Sequence, residues 1–270
     1  MTPSQQPARR DACAFPKDPH QHAVAIAAAA AHQWHHAQGA GEITIPLSVI
    51  AALSFLSPAD DERDWTAATL RAATIDQFAQ IIRAQWAIFV TCRPDLVNRA
   101  WPLISVWHGE HTLSEAKLVA AKQISDAAIS AGLLSLTGTE RRRETDLFGP
   151  LLMVLRPDSA RAARGQIYTP GDLSDAIALL MPPEEGDSVL EPAVGTGGML
   201  RSAAQAVRRR GGDPAKVRWC AVDIDELAVA CLSVNVVLWE LGHDVVLGVG
   251  DSLADDGLET PGGTLGERLA

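Results

Sequence analysis

Leu190-Glu191-Pro192-Ala193-Val194-Gly195-Thr196-Gly197-Gly198-Met199-Leu200 decides the fold. Ser188 to Glu191 reads as a short apolar strand ending in a carboxylate, a glycine turn follows, and Gly198 to Arg210 reads as a helix. Glycines here let a ligand approach the backbone closely, and the start of the helix offers N–H groups with no intrahelical partner. A tight strand-to-helix turn in any α/β protein uses the same residues. The nicotinamide fingerprint G-x-G-x-x-G is incomplete, because Leu200 stands where its third glycine belongs.

Downstream, the alternation continues. Val217 to Asp223 is a second strand, Glu226 to Leu241 a helix with Gly242 just past its end, and Asp244 to Gly250 a third strand. Leu227, Cys231, Val234, Leu238 and Leu241 form one apolar stripe on that helix. Strand, helix, strand, helix, strand implies βαβ units, a parallel sheet and right-handed crossovers. Asp223, closing the second strand, can accept both hydroxyl hydrogens of a ribose in a charge-assisted pair. Asp225 is placed to cap the next helix. Gly250-Asp251-Ser252-Leu253 follows the third strand, so all three strand ends turn polar or glycine groups toward the crevice where open α/β sheets bind ligands. Asp251 is placed to accept a hydrogen from an adenine amino group.

Upstream of residue 185 no strand alternation of any length occurs. Residues 1–18, rich in Pro, Gln, Arg and Asp, read as a flexible tail. A helix runs from His20 to a stop at Gly39-Ala40-Gly41, and Pro46 opens a second that ends near Ser57-Pro58. Leu70, Ala73, Phe78, Ile81, Ile82, Trp86 and Phe89 recur at helical steps and predict one long helix from Thr66 to Val90. Further helices are expected at Pro94–Val106, Ser114–Leu134 and Asp146–Arg156, and, after a Gly-Gln-Ile-Tyr-Thr-Pro turn, at Asp172–Met181. The expected organisation is a tail (1–18), an all-helical domain (19–143) and an α/β domain (144–270).

With 270 residues, 47% hydrophobic and 21% charged, the chain is long enough for one large or two small domains and is not disordered throughout. The longest apolar run, Ala23 to Ala31, is shorter than the ~20 residues a bilayer requires, so no membrane association is expected. Arg9-Arg10 does not make an export signal, since charged residues and prolines break up the stretch between it and Ala23. A net charge of -10 argues against a strong autonomous grip on nucleic acid. Cys13, Cys92, Cys220 and Cys231 stand far apart, as free thiols in the cytoplasm would. His32 and His36, one helical turn apart, lack an evident third ligand, so no metal is expected. Arg141–Arg143 and Arg208–Arg210 fit solvated helix ends at least as well as phosphate contacts. Trp65, Trp86, Trp101 and Trp107 have core packing as their default, with base stacking as the alternative. Internal repeats, a phosphate-binding P-loop and a serine-hydrolase elbow are absent from the sequence.

Taken together, these residues resemble the N6-adenine DNA methyltransferases, specifically the modification subunits of type I restriction-modification systems. Gly165-Gln166-Ile167-Tyr168-Thr169-Pro170 is similar to that family's G-Q-[FY]-Y-T-P motif, and Glu191 to Gly198 to its [DE]-P-A-C-G-[ST]-G-G motif. Their order matches the subgroup in which a helical domain comes first, and the resemblance covers about residues 144 to 253. It implies a Rossmann-like, S-adenosylmethionine-dependent methyltransferase sheet, of which three parallel strands with helices form the first half. It also implies cofactor contacts at Tyr168, Thr169 and Pro170 near the methionine end, Glu191, Gly195, Gly197 and Gly198 in the turn, Asp223 at the ribose and Asp251 at the adenine.

Ile167 and Val194 depart from the pattern at the usual aromatic and Cys positions. The family's catalytic N-P-P-[FY] tetrapeptide does not occur in the 270 residues, and Pro182-Pro183 precedes the first strand. No catalytic residue is therefore assigned. The implied activity is adenine-N6 methylation of DNA within a restriction-modification complex, with DNA and a protein partner (a specificity subunit or a complementary methylase fragment). A non-catalytic assembly subunit, half of a split enzyme, a methyltransferase of another substrate class and an inactive remnant remain open. In this fold a fourth strand is expected against the first, so an edge without it invites association.

Overall fold

A computed structural model of the chain describes residues 15–38, 41–109, 112–156, 171–253, 259–260 and 263–264. Residues 1–14 of the expected tail, the Gly39-Ala40 stop and the Gly165–Pro170 motif lie outside the described residues. The helical half comprises α1 (Pro19–Gln38), α2 (Thr44–Ser54), α3 (Arg63–Ala72), α4 (Ile75–Cys92), α5 (Val97–His108), α6 (Glu115–Ser130), α7 (Leu133–Thr137) and α8 (Phe148–Leu155). After α9 (Gly171–Leu180) come β1 (Ser188–Glu191), α10 (Gly198–Arg209), β2 (Arg218–Asp223), α11 (Glu226–Leu238) and β3 (Val245–Val249). The three strands are parallel in the order β1-β2-β3. The expected fold class, a helical half followed by three parallel strands with helices, is what the structure shows. A separate two-stranded antiparallel hairpin, β4 (Glu259–Thr260) with β5 (Gly263–Thr264), is not anticipated by the sequence reading.

The long helix expected over Thr66–Val90 is broken. Thr74 is extended and caps α4, its hydroxyl accepting from Gln77 N–H while Gln77 Oε1 accepts from Thr74 N–H. This reciprocal box satisfies two orphan donors, which a continuous helix would not need. The helix expected over Ser114–Leu134 begins with Ser114 as the cap of α6, but left-handed Gly132 ends that element and starts α7. Trp86 and Trp107 are core residues and both donate to Ser48 Oγ, whereas Trp65 and Trp101 are exposed. Arg141 donates to Pro16 and Lys17 carbonyls, and Arg142 and Arg143 both pair with Glu240, so this triplet joins elements and is only partly solvated.

One buried cluster joins residues of the helical half with residues of β2 and β3. Its centre is α11, whose residues Ala228 to Val236 are all buried. The stripe read from sequence is thus narrower than the buried surface, because α11 is covered by the sheet on one side and by α2, α5 and α8 on the other. From α5, Arg99 also donates its Nε–H to the Leu247 carbonyl of β3 at 2.8 Å. The result places the carboxyl ends of β1, β2 and β3 on one edge. β2 is buried from Trp219 to Val222, but β1 alternates between exposed and half-buried and has one strand neighbour among the described residues. On α9, beside α10, Leu173, Ile177 and Leu180 recur at helical steps and are exposed, as is Met181 just past its end.

His22 shows how the N-terminal segment is held. Its ring is fully buried, Nε2 lies 2.9 Å from the Ala131 carbonyl, and Nδ1 lies 3.1 Å from Arg141 Nη1. Nε2–H donating and Nδ1 accepting is the neutral tautomer that satisfies both. Burial lowers the His22 pKa, the Ala131 bond raises it and Arg141 lowers it further. A depressed folded-state pKa means that the unfolded chain binds the proton first. The stabilisation is then complete above about pH 6.5 and declines as pH falls toward the folded pKa. Denaturant unfolding between pH 5 and 8 should show that decline, and His22→Gln should flatten it; an equally steep decline in the variant would remove His22 as its source.

Candidate functional site

Parallel pairing aligns Glu191 with Ala221 and Asp223 with Val249, so the three loops after the strands share one edge. Beyond β1, Val194 N–H still donates to the Val222 carbonyl at 2.9 Å, which carries the glycine turn alongside β2. Asp223 then fastens it. Its Oδ2 accepts from Gly195 N–H at 2.7 Å, and its Oδ1 from Asp225 N–H at 2.8 Å. The Asp223 backbone carbonyl accepts from Gly250 N–H at 3.0 Å, drawing in the third loop. Asp223 is half-buried, and each carboxylate oxygen keeps acceptor capacity beyond the bond it makes.

The glycines divide their work. Gly195 and Gly197 are left-handed, with φ of 56° and 100°. At Gly197 a Cβ would lie 2.5 Å from Leu232 Cδ1 and 2.8 Å from Trp239 Cζ3, so this glycine lets the turn pack on α11. Its N–H donates to the Val194 carbonyl at 2.9 Å. At Gly195 and Gly198 a Cβ would meet nothing within 4 Å. Those two positions leave the backbone approachable, and Gly198 opens α10, where first-turn N–H groups have no helical partner. Leu200, the departure from the nicotinamide fingerprint, is buried in the core.

Glu191 Oε1 accepts from Ala193 N–H at 3.3 Å and the residue stays half-buried. Asp251 is exposed, with Oδ1 accepting from Leu253 N–H at 2.9 Å. Asp225 caps α11 as expected, accepting from Leu227 N–H at 3.2 Å, and forms a buried bidentate ion pair with Arg156. Glu191, Gly195, Gly197, Gly198, Asp223 and Asp251 are therefore gathered at one edge; Tyr168, Thr169 and Pro170 lie outside the described residues.

Sequence reasoning missed the support beneath the turn. Asp146, 3% exposed, accepts from Phe148 N–H and Gly149 N–H, both at 3.0 Å, from Asn235 Nδ2 at 2.9 Å and from the Thr196 hydroxyl. Burial pushes the Asp146 carboxyl up, while its bonds from Thr196, Gly149, Asn235 and Phe148 pull it back down. Asn235 Nδ2 also donates to the Thr196 carbonyl at 2.8 Å. The available signal was Asn235 itself, a lone amide in a predominantly apolar helix. Among the described residues no group of three or more His, Cys, Asp or Glu could hold a metal.

Residues 143–264 match the family model described as N-6 DNA Methylase. This segment, a little under half of the chain, is similar to that family. The matched segment contains the glycine turn, Asp223 and Asp251, but begins after most of the helical half. No curated protein matches the chain. Solved structures similar to it include a modification subunit assigned to a type I restriction enzyme of Vibrio vulnificus. It is 21% identical over 56% of this chain and 31% of its own, with a TM-score of 0.39. A type I restriction-modification system methyltransferase subunit of Streptococcus thermophilus is 15% identical over 87% of this chain and 60% of its own, with a TM-score of 0.46. The chain spans less than two thirds of either protein.

The contrast between neighbouring glycines is directly testable. Gly197→Ala combines a left-handed φ with overlap against Leu232 and Trp239, and should lower unfolding free energy by about 2 kcal/mol or more. Gly198→Ala meets no atom and should stay within about 1 kcal/mol of the parent. Equal stabilities in denaturant titrations would contradict this division.

Proposed function

We propose that the edge formed by Gly195, Gly198, Asp223 and Asp251 binds S-adenosylmethionine, and that the chain serves adenine-N6 methylation of DNA within a restriction-modification complex. The observation that carries the ligand class is charge. The segments 190–200, 219–227 and 245–253 contain Glu191, Asp223, Asp225, Glu226 and Asp251 and no Lys or Arg. The buried guanidinium of Arg156 is already paired with Asp225. Such an edge disfavours a nucleotide carrying several phosphates and suits a nucleoside whose other end is cationic. The open faces of Gly195 and Gly198 fit a ligand lying against the backbone, and Asp223 fits a ribose diol.

In this reading Asp223 accepts the ribose hydroxyls and Asp251 the adenine amino hydrogen, and the motif resemblance assigns Tyr168, Thr169 and Pro170 to the methionine end of the ligand. Gly197 contributes through packing and Glu191 through the charge of the turn. The bound group supplies a methyl made electrophilic by its sulfonium sulfur. Residues of this chain bind and orient it; the acceptor base and its catalytic contacts belong to the DNA-bound complex. The alternative of an assembly subunit that binds cofactor without transferring methyl uses the same pocket.

Calorimetric titration with S-adenosylmethionine tests the pocket. Saturable binding is expected, weakened at least about tenfold by Asp223→Ala, as loss of charge-assisted hydrogen bonds requires, while NAD shows no binding. Unchanged binding in the variant would refute the assignment of Asp223.

The edge of β1 that has no strand neighbour among the described residues, and the exposed apolar residues of α9, support the proposed protein partner. Leu180 and Met181 are 83% and 81% exposed. Sedimentation at micromolar concentration should show association, reduced by Leu180→Lys with Met181→Lys. A monodisperse, protease-resistant monomer would argue against a partner at this edge.

A further inference from the structure

We propose that Asp146 and Arg156, bracketing α8, are positioning residues that set the spacing of the loops after β1 and β2, taking the pocket between those loops to be the S-adenosylmethionine site proposed above. At the start of α8, Asp146 accepts two of the helix's own N–H groups, and its other partners are Thr196 in the glycine turn and Asn235 of α11. Beyond the last turn of α8, Arg156 grips Asp225 through two guanidinium bonds. Asp225 donates its own N–H to Asp223, and Asp223 takes Gly195 N–H on its other oxygen. The bonds close a circuit: Asp146 to the turn, the turn to Asp223, Asp223 to Asp225, Asp225 to Arg156, and α8 back to Asp146.

Between its ends α8 is a rod of about 12 Å, at 1.5 Å per residue. Phe148, Leu151, Leu152 and Leu155 are buried, and the rod packs against α1 and α11. The charges are neighbours in space as well as in the circuit: buried Cys231 is pushed well up by burial and by Asp146, held down by Arg156, and raised again by Asp225. Sliding or tilting α8 would strip donors from a buried carboxylate at one end and break a buried ion pair at the other. The helical half, through α1 and α8, therefore holds the ligand loops in place. A loosened turn would bind more weakly in proportion to the fraction of time spent in the competent shape.

The test uses Thr196→Val, which removes the hydroxyl donor to Asp146 with little change of shape, and Thr196→Ser, which keeps it. Asp146→Asn is a third variant, since its amide oxygen can still serve Phe148, Gly149 and Asn235. In the unliganded chain, amide hydrogen exchange over 193–200 should rise about tenfold in Thr196→Val, rise less in Asp146→Asn and return to the parent rate in Thr196→Ser, with α2 unchanged. Arg156→Lys should speed exchange over 223–227. S-adenosylmethionine affinity should fall about tenfold in Thr196→Val and recover in Thr196→Ser. Parent-like exchange over 193–200 in Thr196→Val, or undiminished affinity in that variant, would overturn the proposal. If the parent chain itself bound no S-adenosylmethionine, the ligand assignment would fall, and exchange alone would decide whether α8 fixes the loops.

Discussion

A carboxylate withdrawn from water must be met by donors, and the organisation of this molecule turns on how Asp146 is met. Two donors come from the helix that Asp146 starts, one from the middle of α11 and one from the glycine turn after β1. Leaving any of them unmade would strand a buried polar group at a cost of about 1–3 kcal/mol. The four bonds therefore act together, and they join residues far apart in sequence: the end of the helical half, the turn at 196 and the helix at 235. The continuous apolar cluster around α11 surrounds this polar centre and keeps it dry. Packing and polar satisfaction thus select the same arrangement.

The consequence at the surface is a crevice edge with a defined electrostatic character. The loops supply carboxylates and open glycine backbone, and the buried guanidinium of Arg156 is paired with Asp225. Asp223 holds a central place because it does two things at once. It ties the glycine turn and the following loop together through its oxygens, and it keeps acceptor capacity for a ligand. Gly197 belongs to the scaffold by its contact with Leu232 and Trp239, whereas Gly195 and Gly198 face open space. A glycine-rich turn is thus part packing device and part open backbone.

Much of this was legible in the sequence. β1 matches its expected span, β2 and β3 lie within a residue of theirs, and Asp225 caps α11 as its spacing suggested. Strand and helix periods, glycine punctuation and caps are local signals, and local signals place elements well. The break at Ala73-Thr74 escaped because apolar residues at helical steps lie on both sides of it, while the Thr74–Gln77 box makes stopping and restarting favourable. The full burial of α11 was hidden because a stripe reports one partner surface, and this helix has several. Least legible was the Asp146 network. Its members sit at 146, 196 and 235, and no spacing rule links residues that only the tertiary fold brings together.

The central claim is that the ligand lies across the loops after the three strands, against Gly195, Gly198, Asp223 and Asp251. Backbone amide resonances of the isotopically labelled chain, followed during titration with S-adenosylmethionine, test it most directly. Shifts should concentrate at residues 193–199, 223–226 and 250–253, with α2 and α4 unmoved. Saturable shifts confined to the helical half, with those three loops silent, would contradict it.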